Sequence, residues 1–489
     1  MNIIIEIIYY YNYLVLFYFL LIVTTYIFLN LISFRNISKY TKKIKYVELN
    51  EIFRLHNFKP ITVILPAFNK ENGIVESVRS LLQLEYPDYQ LIVVNDGSTD
   101  RTLEQLFKKF QIRQVSFSSY FEIDSQPIKA VYLSPSYPNL VVIDKENSGK
   151  ADSINAAINI SRNPLITIID ADSKLERDCL LKIVRPFMED DNIVAVGGTV
   201  RIANGCKVNN GYIEEVGFSK SWLARFQVVE YLRTSLFGRN GFDFLNGILI
   251  ISEAFSCFRR DALIEVGGYK AGSVGEDIEI IVRLHKELRK KNPKTKITFI
   301  PDTVCWIKAP EKIKTLSSQR VRLQKGLIES ISLHKDLFFN RKYGWLGMLV
   351  FPYYTFFEVL GPFIEISGYA VFIISYLLGI VSLNFAVAFF TAAFLYGVVL
   401  STLSVCLEEL SFKKYKKVNH LIILMVASLL ENFGYRQMTA FWRFKGIIEY
   451  YLGKRDWGKM EKEGFKQKNV QAPVKQFETY QLNIKDEAT

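Results

Sequence analysis

Two aspartates one residue apart close a strand-like run in LITIIDADS, residues 165–173. In an extended chain Asp170 and Asp172 point to the same side, so both carboxylates face one place. Two like charges there are comfortable only around a cation, and oxygen ligands of this kind suit Mg²⁺ or Mn²⁺ whose shell is completed by substrate phosphates. The competing use of aspartate at such a junction is as a turn or cap residue. Asp96 ends a second apolar run, QLIVVND, and is followed by GSTD. Gly97, Ser98 and Thr99 can make a tight turn and Asp100 can cap the next helix, but capping leaves Asp96 unexplained; a carboxylate there can hold a nucleotide's base or ribose. Glu276 and Asp277 open an amphipathic segment, SVGEDIEIIVRLHKELRK. That is an ordinary capping arrangement, yet beside a metal-bound diphosphate such a carboxylate could take a proton from an attacking hydroxyl. His285, in the same segment, reads as a packed or solvated side chain. Finally, SSQRVRLQKG puts Gln319, Arg322, Leu323 and Gly326 on one helical face. A guanidinium on that face offers paired hydrogen bonds to phosphate, unless the segment is a basic helix at a membrane surface.

These groups need a frame. ITVILPAF (61–68), QLIVVND (90–96), NLVVID (139–144), LITIIDADS (165–173) and NIVAVGG (192–198) read as buried strands. GIVESVRSLLQL, DRTLEQLFKKF, KADSINAAINI and LERDCLLKIVRPFM, which lie between them, have apolar residues at helical spacing. The alternation predicts an α/β fold with a mostly parallel sheet flanked by helices, with ligands beyond the carboxyl ends of the strands. Residues 111–139 do not fit the rhythm and receive no role.

The chain of 489 residues carries a net charge of +12 and is 49% apolar. No charged residue occurs from Ile7 to Phe34, which makes Tyr10 to Leu31 a transmembrane helix that is retained. The uncharged run from Ile366 to Leu407 is long enough for two spans, with a turn at VSLN (381–384). Trp345–Phe357 and Leu421–Leu430 are short and flanked by charge or aromatics, which predicts helices at the interface. Basic flanks after the first and third spans, SFRNISKYTKKIKY and SFKKYKK, put the large middle region in the cytoplasm. Lysines gathered beside spans fit anionic membrane lipids and argue against nucleic acid. The five cysteines are scattered and without C-x-x-C spacing, so they read as reduced thiols. The domains expected are 1–35, an N-terminal transmembrane helix; 60–340, a cytoplasmic catalytic domain; 341–436, interfacial helices and a transmembrane pair; and 437–489, a basic cytoplasmic segment whose polar tail after Phe465 is mobile.

PAFNKE, VVNDGSTD, NSGKADSINAAI, IDADS, SCFRRDALIEVGGY, GED and QRVRL follow one another in the order seen in membrane-bound family 2 glycosyltransferases, and over about 60 to 465 the chain resembles cellulose, chitin-oligosaccharide, hyaluronan and poly-N-acetylglucosamine synthases. The resemblance implies a GT-A-like domain and an inverting transfer from a nucleotide sugar, foremost a UDP-sugar, to a lipid-linked or growing glycan. It makes Asp96 the nucleotide-binding aspartate, Asp170 and Asp172 the diphosphate and metal pair, and Asp277 the general base. It also makes Gln319, Arg320 and Arg322 part of the last donor-side motif and places Lys150 near the nucleotide. Glu276, Phe255 and Leu323 fall on the acceptor side. Two departures touch that side: Leu323 stands where the family usually has tryptophan, and Glu253 interrupts a stretch that is small in many synthases. Accessory export subunits are compatible with this reading. A transporter is disfavoured by the uncharged 366–407 run, and an inactive sugar-binding homologue by the intact acids.

Overall fold

The computed structural model describes residues 2–46, 58–117, 121–209, 211–252, 254–415 and 417–454. Glu253, the DWGKM segment (456–460) and the polar tail lie outside these. The apolar runs form strands β1 (Ile61–Ala67), β2 (Tyr89–Asp96), β3 (Arg113–Val115), β4 (Ile128–Leu133), β5 (Leu140–Lys145), β6 (Leu165–Ile169), β7 (Lys174–Leu175), β8 (Ile193–Ile202), β9 (Lys207–Asn209), β10 (Tyr212–Glu215), β11 (Phe255–Arg259) and β12 (Lys296–Ile307). The main helices are α1 (Asn2–Tyr46), α2 (Ile74–Leu81), α3 (Thr102–Phe110), α4 (Lys150–Ile160), α5 (Cys179–Glu189), α6 (Trp222–Arg233), α7 (Glu276–Lys291), α8 (Ile313–Leu333), α9 (Gly361–Leu377), α10 (Leu383–Ser411), α11 (Val418–Leu430) and α12 (Tyr435–Tyr451).

Ten strands make one sheet in the order β3-β4-β5-β2-β1-β6-β11-β8-β12-β7. Its centre, β5-β2-β1-β6, is parallel, as is the β8–β12 pair, whereas β11 runs antiparallel between β6 and β8. Alternate residues serve opposite faces: Ile64, Ile92 and Ile143 join one apolar cluster, and Val63, Leu91 and Val142 the other. With helices on both faces, this is the GT-A-like, Rossmann-like plan the sequence implies. The stretch 111–139 adds the antiparallel edge strands β3 and β4. Its loop is pinned by α4, whose Asn159 Oδ1 accepts from Glu122 N (3.1 Å) and Ile123 N (3.0 Å).

One expectation about the strands changes. β6 stops at Ile169, and Asp170 to Ser173 form a turn closed by Ser173 N donating to Asp170 O at 3.0 Å. The two aspartates are therefore placed by a turn and not by strand alternation.

Two helices, Ile5–Lys42 and Phe394–Ser411, are long and apolar enough to cross a membrane. Two further pairs pass the same test if each is one bent span: Leu346–Val359 with Gly361–Leu377 (44°), and Val418–Leu430 with Tyr435–Tyr451 (58°). The segments expected to lie at the interface, 345–357 and 421–430, are thus arms of these bent pairs. The break expected at 381–384 falls at 378–382, with α10 starting at Leu383. α1 runs on past the expected span end at Leu31 as a single helix of 45 residues. Its later part packs on the catalytic sheet and its helices: Ser33 Oγ donates to Phe237 O at 3.0 Å, Ile37 is buried, and the Tyr40 hydroxyl meets Asp302 and Arg185. In the basic segment after α10, Lys414 and Tyr415 also dock on protein, Lys414 3.1 Å from Glu176 and Tyr415 buried against Arg201.

Candidate active site

The turn after β6, the start of α4, the start of α7 and the middle of α8 converge at the carboxyl ends of the strands. Lys150, the first residue of α4, lies between the acidic groups. Its Nζ is 3.2 Å from Asp170 Oδ1, 3.4 Å from Asp277 Oδ2 and 4.0 Å from Glu276 Oε1. Burial alone would lower the Lys150 pKa, but Asp170, Asp277 and Glu276 outweigh it and hold the ammonium charged well above its usual range. Glu276 is buried, and desolvation, opposed by Lys150 and reinforced by Asp277 and Asp170, pushes its carboxyl up to about 8. Among the described residues no group of three His, Cys, Asp or Glu side chains is placed to hold a metal ion by itself.

The supports are local. Ser77 Oγ of α2 donates to Ala171 O at 2.7 Å, fixing the turn that carries Asp170 and Asp172. Asn155 of α4 brackets Tyr269, its Nδ2 donating to Tyr269 O at 2.8 Å and its Oδ1 accepting from Tyr269 N at 2.7 Å. This ties the VGGY turn to the lysine helix; Asn155 was unremarked in the sequence, although it stands in the conspicuous NSGKADSINAAI run. Gly275 and Gly326 meet where α8 crosses the start of α7: a Cβ added to Gly326 would lie 2.7 Å from Gly275 Cα. That close approach brings Asp277 and Arg322 to one site.

Asp170, Asp172, Lys150, Glu276 and Asp277 line a single cavity of about 3890 Å³ together with Gln319, Arg322 and Leu323. The same cavity continues among the apolar helices, where Tyr18, Tyr26, Glu365, Tyr369 and Arg436 line it.

Two residues sit elsewhere than expected, and a third turns to an unexpected partner. Asp96 is buried and does not line the cavity; its carboxylate accepts from Ser148 N (3.0 Å), Gly149 N (2.9 Å), Asn147 Nδ2 (3.3 Å) and Lys145 Nζ (3.2 Å). It holds the loop that presents Lys150. Phe255, expected on the acceptor side, is fully buried, because β11 is an inner strand whose side chains fill both faces. Arg320 also lines the cavity but leans toward α6 and α12, pairing with Glu230 at 2.6 Å beside the Tyr435 hydroxyl, because neighbouring residues in a helix point about 100° apart. Trp222 is exposed under Arg225 and outside the cavity lining. His285 is buried, with Nε2 2.9 Å from Ile248 O.

Comparison with known proteins adds to this geometry. Residues 62–267 match Glycosyl transferase family 2, and the overlapping residues 165–401 match Glycosyl transferase family group 2. Both models are of family 2 glycosyltransferases, and together they span residues 62–401. The poly-beta-1,6-N-acetyl-D-glucosamine synthase of Staphylococcus aureus (strain MSSA476) is 27% identical over 291 residues, covering 59% of each chain. That of Staphylococcus epidermidis is 26% identical over 269 residues, covering 54% of each. The match thus spans little more than half the length of these relatives. Solved structures include a mannosyltransferase from Pyrobaculum calidifontis in complex with GDP-Man and Mn²⁺, 16% identical, with a TM-score of 0.49 over 83% of this chain and 99% of that one. Another is residues 1–349 of S. aureus TarS, 15% identical, with a TM-score of 0.36 over 81% and 92%.

Proposed function

We propose that this glycosyltransferase is an inverting, β-forming enzyme that moves a sugar from a nucleotide sugar to a hydroxyl of a lipid-linked or growing glycan in cell-surface polysaccharide synthesis. It works at the cytoplasmic membrane, with the catalytic region, about 60–340, facing the cytoplasm. The observation that carries the reading is the meeting of Asp170, Asp277 and Glu276 around the Lys150 ammonium, in a cavity that also holds Asp172 and Arg322. UDP-N-acetylglucosamine is the first donor to test, given the names of the relatives.

The site fits a divalent ion. Asp170 and Asp172 supply two hard oxygen ligands on one turn, and the ion pair between Asp170 and Lys150 marks a point where these carboxylates accept a cation. Mg²⁺ or Mn²⁺ held there would neutralise charge on the donor diphosphate as the sugar leaves. Asp277 lies within reach of the lysine and lines the cavity, and it takes the acceptor hydroxyl's proton in this reading. Arg322 offers a guanidinium to the departing diphosphate. One displacement with an α-linked donor gives a β-linkage.

The test is transfer of label from UDP-N-acetylglucosamine and other UDP-sugars by the full-length protein in membranes. Label should enter a glycan or lipid product, be lost with EDTA and return with Mg²⁺ or Mn²⁺. Transfer undiminished in EDTA would remove the metal from the site, and the absence of transfer from any nucleotide sugar would overturn the reading as an active enzyme.

A further inference from the structure

Helix α8 does more than present Arg322. Two turns further on, a single oxygen of Glu329, Oε2, accepts from three donors: Val274 N at 2.7 Å, Ser273 Oγ at 3.1 Å and Gly275 N at 3.3 Å. These are the three residues immediately before Glu276 and Asp277. The next residue of α8 adds to the clamp, Ser330 Oγ approaching Gly275 O at 3.4 Å. Between Arg322 and Glu329 lies Gly326, whose missing side chain lets the helix touch Gly275. Residues 322, 326 and 329 recur at helical spacing, so one face of one helix carries both the arginine and the anchor of the loop that delivers Asp277.

We infer that Glu329 is a positioning residue for the base: through Oε2 it fixes the 273–275 backbone and thereby sets where the Asp277 carboxylate stands relative to Arg322. The inference rests on the reading of Asp277 as general base. Three donors on one oxygen leave the loop little freedom. A rigid scaffold matters here because the base and the leaving-group arginine act on opposite ends of one displacement. An error of about 1 Å in such a placement can cost on the order of 10²-fold in rate.

The experiment compares Glu329→Ala, Glu329→Asp and Glu329→Gln with the wild type and with Asp277→Asn, in the full-length protein, using the UDP-sugar that supports wild-type transfer. It measures kcat, KM for the donor, affinity for UDP and thermal stability. Alanine removes the acceptor, and aspartate draws it back by one methylene. Both should lower kcat by about 10–10²-fold while KM and UDP affinity move less than about threefold. Glutamine keeps an oxygen at the same reach and should restore most of kcat. If alanine prevents folding, the aspartate variant decides. The inference is overturned if kcat in the aspartate or alanine variant stays within about threefold of wild type. It is also overturned if kcat falls only in step with UDP affinity and stability, or if glutamine is as poor as alanine. Full activity in Asp277→Asn would overturn the base assignment and this inference with it. An inactive Asp277→Asn beside an unaffected Glu329 series would overturn the inference alone.

Discussion

At the strand ends, the acidic groups are held by main-chain atoms and tight turns: Asp96 by the amides of 148 and 149, the Asp170–Ser173 turn by its own hydrogen bond and by Ser77. Farther along the cavity and at the joint with the apolar helices, polar side chains are held by ion pairs between elements far apart in the chain. Arg320 pairs with Glu230, 90 residues away, Arg443 with Glu358, 85 away, and Arg201 with Glu408, 207 away. The donor end is organised by hydrogen bonds that involve the main chain and by the carboxylates gathered on Lys150, the joint by ion pairs between side chains alone. The first tolerates change only in residue type at fixed spacing; the second depends on both partners being present.

The largest effect expected from that contrast is at the donor end. Asp277→Asn keeps the shape of the side chain and removes the base, so kcat should fall by about 10²–10⁴-fold with UDP affinity largely kept. Steady-state kinetics and nucleotide titration measure the two quantities, and normal turnover would place the base elsewhere.

At the joint, Arg201 and Glu408 are each 1% exposed and 2.7 Å apart, with Arg201 Nε also against Thr303. Removing one partner strands a buried charge, so Arg201→Met should cost about 3–5 kcal/mol of stability. Replacing both, as Arg201→Met with Glu408→Leu, should recover most of it. Denaturation in detergent checks this, and an additive double variant would mean the pair is not what couples β8 to α10.

A smaller effect concerns pH. Glu276 retains its proton up to about 8 in the folded protein, whereas in the unfolded chain it ionises near its ordinary value of about 4.3. The folded state therefore holds a proton that the unfolded state has lost, and stability falls as pH rises through that window. Glu276→Gln should remove this slope, so that its melting temperature relative to wild type rises between about pH 5 and about pH 9. A constant difference across that range would contradict the buried, protonated state.

The smallest effect is at the acceptor side, where Leu323 lines the cavity in place of the usual tryptophan. An indole would offer a flat platform to an acceptor sugar, and by analogy with base stacking such contact is worth about 1–3 kcal/mol. Leu323→Trp should lengthen the products formed with excess acceptor. No change in product length would show that this position does not set extension.

The sheet was legible because its strands are continuous aliphatic runs, and the carboxylates because each ends such a run or opens a helix. Asp170, Asp172, Asp277 and Lys150 were named from that pattern and from motif order, and they share one cavity. What could not be read was which way a side chain turns. Asp96 and Phe255 are inside because loop 145–149 folds over one and β11 is inserted between β6 and β8 around the other. Arg320 leans along the cavity wall to Glu230 and Tyr435, and nothing near residue 320 in the sequence announces them. Glu329 was unremarked for the same reason: its donors are two main-chain amides and one serine hydroxyl of a loop some 54 to 56 residues earlier. Within the basic segments at the end of α1 and after α10, Tyr40 and Tyr415 dock on protein, which charge patterning alone does not announce.

Because α1 is one uninterrupted helix, its apolar half and the stripe that docks on the catalytic region are locked in phase. Leu29, Ser33, Ile37 and Tyr40 recur at helical spacing on that stripe, with Leu29 against Gly241 and Ser33 against Phe237. One residue added upstream of Leu29 would turn the apolar half by about 100° relative to the stripe and move it by about 1.5 Å. An insertion of seven would return it almost to phase while raising it by about 10 Å. The helix thus works as a spindle that ties both the azimuth and the height of its apolar half to the carboxylate site, and its length can change without loss of phase only in near-whole turns.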